Sequence, residues 1–175
     1  MNSIKITSGK LRGRAISSPN LEITHPMGAR EKLALFNMIS GYLPNATVLD
    51  AYAGSGALGI EALSRGAKRV TFIEKSPKVA SVIRKNLNLL ELGEFSSVIQ
   101  CDAKDFSSTH KYNIILVDPP YDNFELAGVE NLAKLLDESG ILVLSHPDET
   151  PEVAGLKLQK SHQYANAHVS VYIKI

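Results

Sequence analysis

The stretch that decides the fold lies at residues 48–59 and reads Val48-Leu49-Asp50-Ala51-Tyr52-Ala53-Gly54-Ser55-Gly56-Ala57-Leu58-Gly59. An apolar pair is followed by a charged residue, a glycine-rich turn and the first residues of a helix. Glycine tolerates positive φ and lets a ligand lie against bare backbone. The spacing Gly54-x-Gly56-x-x-Gly59 matches the dinucleotide-binding fingerprint. The stretch therefore predicts the first strand–turn–helix unit of a nucleotide-binding α/β fold.

Strands and helices alternate on both sides of this unit. A β-hairpin is predicted over residues 1–20, and helices over 30–42, 57–65, 77–90 and 124–136, with Ser76 as the N-cap of the third. Strands are predicted at 48–49, 70–73, 98–99, 114–117, 141–144, 156–161 and 168–174. This order predicts a doubly wound, mostly parallel seven-stranded sheet with an antiparallel C-terminal strand. We expect one domain over 1–175, with an N-terminal hairpin and basic arm (1–27) and a Rossmann-like core (28–175).

Length and composition set outer limits on the class of protein. The chain has 175 residues, 44% hydrophobic and 21% charged, which is ordinary for a soluble globular domain. Cys101 is the single cysteine, so no intramolecular disulfide can form and a reducing compartment is expected. The sequence has no run of about 18 apolar residues and no apolar secretory core near its start. We therefore expect a cytoplasmic protein without a membrane span.

Basic side chains are concentrated near the N-terminus. Residues 1–32 hold six Lys or Arg against two Glu, whereas the whole chain carries only +1. Such an arm suits a polyanion, although a solvated surface loop explains the charge equally well. The basic residues of this segment that could contact a polyanion include Lys10, Arg12, Arg14 and Arg30.

Acidic residues end three successive predicted strands: Asp50, Glu74 and Asp102. Glu74 lies 20 positions after Gly54, where a carboxylate accepts ribose hydroxyls, so this region alone fits either NAD or S-adenosylmethionine. Asp50 favours S-adenosylmethionine, which carries ammonium and sulfonium charges; the alternative is that it only caps a turn. Asp102 and the Ala103 N–H could bind adenine. The predicted cofactor-binding residues are Asp50, Tyr52, Ala53, Gly54, Ser55, Gly56, Glu74, Lys75, Asp102 and Ala103.

The tetrapeptide Asp118-Pro119-Pro120-Tyr121 follows the predicted strand at 114–117. Two prolines fix φ and remove two N–H donors, which leaves a rigid loop with free carbonyl acceptors. The Asp118 carboxylate and the Pro119 carbonyl could accept both hydrogens of an exocyclic base amine and align its nitrogen with a methyl donor. Tyr121 could stack on a base that has left its helix. These four residues are the predicted catalytic residues, and the chemistry requires no metal.

Several segments of the chain match the motifs of a known protein family. They are Ser8-Gly9-Lys10-Leu11-Arg12-Gly13-Arg14, Leu35-Phe36-Asn37, the glycine stretch above, Ser64-Arg65-Gly66-Ala67 and Asp118-Pro119-Pro120-Tyr121. Together they resemble the ribosomal RNA small-subunit methyltransferase D family. The resemblance implies a class I S-adenosylmethionine-dependent fold and methylation of guanine N2 in 16S rRNA of the small ribosomal subunit. It also implies that the four basic residues named above face RNA phosphates. The chain departs from the family pattern at His25, Met27, Lys32, Leu33 and Ala165, and Leu144-Ser145-His146 lacks an expected Glu.

The sequence is also compatible with three other functions. The same site could methylate adenine N6 in DNA or RNA, or a glutamine side chain of a protein. The glycine loop could serve an NAD-dependent oxidoreductase, although Asp50 and the tetrapeptide argue against it. The chain could also be a non-catalytic RNA-binding factor. The five histidines lack metal-ligand spacing, so no metal is expected, and a monomer is the default.

Overall fold

A computed structural model describes residues 2–19, 27–147, 149–164 and 167–175. The strands are β1 (Asn2–Lys5), β2 (Ala15–Ser18), β3 (Thr47–Asp50), β4 (Arg69–Ile73), β5 (Ser96–Ile99), β6 (Tyr112–Val117), β7 (Leu136–His146), β8 (Leu156–Tyr164) and β9 (Ala167–Lys174). The helices are α1 (Ala29–Met38), α2 (Ala57–Ser64), α3 (Pro77–Leu89) and α4 (Leu126–Ala133). His25 and Ala165, two of the departures noted above, lie outside the described residues.

Seven strands form one sheet in the order β5-β4-β3-β6-β7-β9-β8. All neighbouring pairs from β5 to β7 are parallel, and β9 runs antiparallel to both β7 and β8. The predicted doubly wound sheet with one antiparallel strand is confirmed. The chain leaves β3 toward β4 and β5, then returns to place β6 on the other side of β3. Ligands of such sheets bind where the strand order reverses, at the carboxyl ends of the strands.

Alternate residues of the central strands supply two apolar cores, one on each face of the sheet. One core joins residues such as Phe72 and Leu116 to helices α1, α2 and α3 and to the hairpin β1–β2. The other joins residues such as Leu49 and Ile115 to α4. Within the described ranges, no helix is long and apolar enough to cross a membrane.

The ends of two helices differ from those predicted from the sequence. The helix predicted over 124–136 covers only Leu126–Ala133, because Leu136 already pairs with Tyr112 as the start of β7. Gly140, expected to precede that strand, lies inside it. The helix predicted to reach residue 42 ends at Met38, and a 3₁₀ turn follows. The N-cap prediction is confirmed, since Ser76 Oγ accepts the Val79 N–H at 3.4 Å.

The hairpin β1–β2 is fixed to the core by polar contacts with α2 and α3. The two carboxylate oxygens of Glu61 accept the Thr7 N–H at 2.9 Å, the Thr7 hydroxyl at 2.7 Å and the Ser8 N–H at 3.0 Å. On α3, Asn86 Oδ1 accepts the Ser17 N–H at 2.9 Å. Because these bonds involve backbone groups of the hairpin, they fix its orientation on α2 and α3.

Lys32 corrects the simple view of a basic arm. The sequence count placed it among the exposed cations of residues 1–32, but its side chain is only 2% exposed. Its ammonium donates to the Lys5 carbonyl at 3.1 Å and lies 3.6 Å from Glu61. Lys32 therefore joins α1 to the hairpin and to α2, and its charge is not presented to a partner.

Candidate active site

Asp50 ends β3 at the point where the strand order reverses. It is 1% exposed, and the Gly59 N–H donates to its Oδ2 at 2.8 Å. Burial raises the pKa of Asp50 to about 7, and the negative charges of Asp118 and Glu74 add to this, while the bond from Gly59 opposes it. A buried carboxylate with neighbouring like charges is stabilised by a cation. The position therefore suits a positively charged ligand group.

The glycine turn above Asp50 has the open backbone that a ligand requires. Gly54 and Gly56 have φ values of 53° and 81°, in the left-handed region. A side chain at Gly54 would meet no protein atom within 4 Å, so this backbone faces open space. Glu74, at the end of β4, braces the turn, because its carboxylate accepts the Gly54 N–H at 3.1 Å and the Ser76 N–H at 2.8 Å.

The other predicted cofactor residues lie along the same edge of the sheet. Ala53 donates its N–H to the Ile73 carbonyl at 2.9 Å. Ser55 is buried, and its carbonyl accepts from the Asn86 side chain at 3.1 Å. Asp102 accepts the Lys104 N–H at 3.2 Å as the cap of a short turn. The remaining three are the half-buried Tyr52, the exposed Lys75 and the buried Ala103.

The predicted catalytic tetrapeptide follows β6, the strand beside β3. Asp50 is the register partner of Leu116, so Asp118 lies only two residues beyond that pair. Burial raises the pKa of the Asp118 carboxyl, and a hydrogen bond from Ser145 opposes this shift. Pro119 is buried, Pro120 is half-buried, and Tyr121 begins a short 3₁₀ turn with 37% of its surface exposed. The edge thus brings together an acceptor carboxylate and an accessible aromatic ring.

Ser145 is a member of this site that the sequence interpretation did not select. Its Oγ lies 2.7 Å from the Tyr121 hydroxyl, and it is 3% exposed at the end of β7. The available signal was a polar residue directly after the apolar run of β7. Asp118 carries the same signal after β6, the strand beside β7, and Asp50 carries it at the end of β3, the strand on the other side of β6.

The predicted RNA-binding residues divide into two groups. The Lys10 N–H donates to the carbonyl of Ser64, the last residue of α2, at 2.8 Å, and Arg14 Nη2 donates to the Leu89 carbonyl at the end of α3 at 3.4 Å. Lys10, Arg12 and Arg14 are exposed. The Ser64 end of α2 lies about 12 Å from the end that follows the glycine turn, given about 1.5 Å per helical residue. Arg30 is exposed in the first turn of α1. The turn of the hairpin thus lies against the C-terminal ends of α2 and α3.

In the part of the chain that the structure describes, His, Cys, Asp and Glu side chains form no group of three that could hold a metal ion. His146 is buried, and its Nε2 lies 2.9 Å from the Ser170 hydroxyl.

The strand order, the glycine turn and the acidic strand ends define a class I methyltransferase fold, and three relatives agree. YlbH of Bacillus subtilis is 32% identical over 182 residues, which cover 98% of this chain and 99% of YlbH. Ribosomal RNA small subunit methyltransferase D of Haemophilus influenzae is 39% identical over 144 residues, which cover 79% of this chain and 73% of that relative. The solved structure of yhhF from Escherichia coli has a TM-score of 0.89 at 30% identity, covering 99% and 98% of the two chains.

A family model described as "Conserved hypothetical protein 95" matches residues 4–173. The chain belongs to the ribosomal RNA small-subunit methyltransferase D family. The resemblance drawn from the sequence motifs is therefore confirmed, and with it the methyltransferase class of the protein.

Proposed function

We propose that this chain transfers a methyl group from S-adenosylmethionine to the exocyclic N2 amine of a guanine in small-subunit rRNA. The observation that carries the proposal is the placement of Asp50 and Asp118 on adjacent strands at the reversal of strand order. One carboxylate suits a cationic cofactor and the other suits a hydrogen-bond donor such as an amine. The relatives named ribosomal RNA small subunit methyltransferase D support rRNA as the substrate.

The residues present fit S-adenosylmethionine. The buried Asp50 carboxylate, with its pKa of about 7, is matched by a ligand with positive charge. The open backbone at Gly54 leaves room for a ligand. The Glu74 carboxylate, which already accepts the Gly54 N–H, keeps lone pairs that could accept hydrogen bonds from ribose hydroxyls. Asp102 and the Ala103 N–H would form hydrogen bonds with the edge of the adenine ring. When bound, S-adenosylmethionine supplies a methyl group on a positively charged sulfur.

The chain's own part in the reaction is to bind and orient the target amine. The Asp118 carboxylate and the Pro119 carbonyl would accept the two amine hydrogens, which directs the nitrogen lone pair toward the methyl carbon. As the nitrogen gains positive charge, the nearby carboxylate stabilises it, and one N–H proton then leaves to Asp118 or to water. Tyr121 would stack on the displaced base, and Pro120 would keep the loop rigid.

The basic hairpin would hold the RNA outside the reaction centre. Lys10, Arg12, Arg14 and Arg30 would contact phosphates, which gives affinity but no choice of base. Because Lys10 is bonded at the Ser64 end of α2, about 12 Å from the end that follows the glycine turn, the hairpin cations would contact nucleotides away from the target. We further propose that the chain acts as a monomer in the cytoplasm.

The same acceptors would also suit adenine N6 or a glutamine amide, so the test must identify the product. Small ribosomal subunits without native methylation are incubated with labelled S-adenosylmethionine, and the RNA is digested to nucleosides. N2-methylguanosine at one site is the expected product. N6-methyladenosine would keep the chemistry and overturn the substrate. Cofactor binding without any labelled RNA would contradict the proposed substrate class.

Binding measurements separate the proposal from an NAD enzyme. S-adenosylmethionine or S-adenosylhomocysteine should raise the unfolding temperature of the protein, because a ligand that binds only the folded state stabilises it. NAD should leave it unchanged. Stabilisation by NAD alone would favour the oxidoreductase function.

A further inference from the structure

Ser145 occupies the strand end directly beside the catalytic loop. Val117 and Leu144 are register partners in the parallel pair β6–β7, so Asp118 and Ser145 follow side by side at the carboxyl edge of the sheet. Ser145 is 3% exposed, and a buried hydroxyl requires hydrogen-bond partners. The hydrogen-bond partners of the Ser145 hydroxyl are the Asp118 carboxyl and the Tyr121 hydroxyl.

The direction of the two bonds follows from the chemistry of the groups. A serine hydroxyl has one hydrogen to donate and two lone pairs that accept. When Asp118 is ionised, its carboxylate can only accept, so Ser145 donates its hydrogen to Asp118. The 2.7 Å contact with Tyr121 must then run the other way, with the phenol donating to Ser145 Oγ. Burial raises the pKa of the Tyr121 phenol, which therefore keeps the hydrogen that it donates.

We propose that Ser145 is a positioning residue, which holds the Asp118 carboxylate and the Tyr121 ring in the arrangement that receives the target base. The bonds from Tyr121 to Ser145 and from Ser145 to Asp118 point the same way, so each strengthens the other. The inference deepens the proposed function and rests on it, because the target base is part of that proposal.

Two consequences distinguish this role from simple satisfaction of a buried hydroxyl. The bond from Ser145 favours the ionised form of Asp118, so that the carboxylate remains an acceptor for an amine hydrogen. The bond to Tyr121 restrains the position of its aromatic side chain, which belongs to a residue that is 37% exposed. A fixed ring beside a fixed carboxylate lowers the entropy that binding the base must remove.

The first test uses the cofactor-free protein and needs no catalysis. The pKa of the Asp118 carboxyl is measured by carbon-13 NMR in the wild type, in Ser145→Ala and in Ser145→Thr. Ser145→Ala should raise this pKa, because it removes the hydrogen bond that opposes the upward shift caused by burial. Ser145→Thr should keep the pKa near the wild-type value, because threonine retains the hydroxyl. The matched control is Ser170→Ala, which removes a fully buried serine hydroxyl from β9 that bonds to His146 and Ser161. It should leave the Asp118 pKa unchanged.

The second test is a double-mutant cycle on methyl transfer with Ser145→Ala and Tyr121→Phe. Each single change should lower kcat by about 10-fold, which corresponds to the net contribution of about one hydrogen bond, and leave the KM for S-adenosylmethionine unchanged. The double variant should lose about as much as either single variant, because the two hydroxyls act as one unit.

Two results would overturn the inference: an Asp118 pKa that does not respond to Ser145→Ala, or losses in kcat that multiply in the double variant. A failure of the proposed function is recognisable separately. If the wild type binds cofactor but methylates no RNA, the proposed substrate is wrong, whereas the NMR comparison still decides whether Ser145 sets the state of Asp118.

Discussion

The ammonium nitrogen of Lys32 lies 3.6 Å from a carboxylate oxygen of Glu61, and both side chains are almost fully buried. Arg65 donates to the same carboxylate at 2.9 Å, and Thr7 of the hairpin donates twice. Burial alone would raise the pKa of Glu61, but the Thr7 and Arg65 bonds and the Lys32 charge together hold it below its ordinary value. Glu61 is therefore the group through which the hairpin, α1 and α2 are joined.

We expect Glu61→Gln to lower the free energy of unfolding by about 3 kcal/mol, because it leaves Lys32 buried without its charge partner. Urea denaturation at pH 7 measures this. Glu138→Gln is the control, since it breaks an exposed ion pair with Lys174 and should cost less than about 1 kcal/mol. Because the pKa of Glu61 is lowered in the fold, its contribution to stability is present above the ordinary value of 4.5 and is lost as the pH falls from there through the lower folded pKa. Equal losses in both variants would contradict this role.

Gly59 lies where α2 packs closely against β4. A side chain at this position would overlap the Phe72 ring and the Val70 side chain. We expect Gly59→Ala to destabilise the protein by about 1–3 kcal/mol through overpacking and to weaken cofactor binding, because the Gly59 N–H also holds Asp50. Gly41→Ala is the control, since a methyl group there meets nothing within 4 Å. Similar thermal unfolding of the two variants would show that the helix can shift to make room.

The sheet and most of the site could be predicted because they depend on local patterns. An apolar run that ends in Asp50 or Asp118 predicts both a buried strand and the edge at which its last residue lies. Carboxyl ends of parallel strands meet at one edge, so neighbouring strand ends form one site. Ser76 and its helix were predictable for the same reason, since an N-cap and a following proline are adjacent in sequence.

Other features depend on which elements pack together, and the sequence pattern contains no such information. Lys32 and Glu61 are 29 positions apart, and nothing in either segment indicates that they pair. Ser145 meets Tyr121 only because β7 pairs in parallel with β6. The helix predicted to reach residue 136 ended earlier because Leu136 pairs with Tyr112, and such strand pairing overrides helical spacing.

Asp50 should reduce stability in the absence of cofactor. Its folded pKa of about 7 is above the ordinary value of 3.8, so its favourable contribution is present at low pH and is lost as the pH rises through about 7. We expect Asp50→Asn to raise the free energy of unfolding at about pH 8 by on the order of 2 kcal/mol, and to change it little at about pH 4. Urea denaturation at the two pH values measures this.

The same substitution should weaken binding of S-adenosylmethionine by at least about 10-fold, because a charge pair in a buried site is lost. Isothermal titration calorimetry measures this. Asp105→Asn, an exposed carboxylate on the same side of the sheet, is the control and should change neither stability nor binding. Undiminished cofactor affinity in Asp50→Asn would mean that Asp50 does not face the ligand's positive charge.

Asp118→Ala should abolish most methyl transfer while it preserves cofactor binding. The carboxylate would touch the target amine, whereas the proposed cofactor contacts lie at the ends of β3 and β4 and in the turn after β5. We expect kcat to fall by at least about 100-fold, consistent with the loss of a positioned acceptor in a transition state. Asp122→Ala, an exposed carboxylate four residues further along, is the matched control and should keep wild-type turnover. Wild-type turnover in Asp118→Ala would remove Asp118 from the reaction.

Lys10, Arg12 and Arg14 should act on RNA binding alone, because the turn of the hairpin that carries them lies at the Ser64 end of α2, and the glycine turn precedes the other end. We expect the triple change to glutamine to weaken binding of small ribosomal subunits and to reduce the salt dependence of log Kd by roughly 0.7–0.9 per lost phosphate contact. Binding of S-adenosylmethionine should be unchanged. Lys157 and Lys160 on the exposed strand β8 provide the control pair, since their replacement alters net charge without touching the hairpin. An equal effect of both sets on the salt slope would indicate general attraction to RNA, whereas an effect of the hairpin set alone would assign the phosphate contacts to the hairpin.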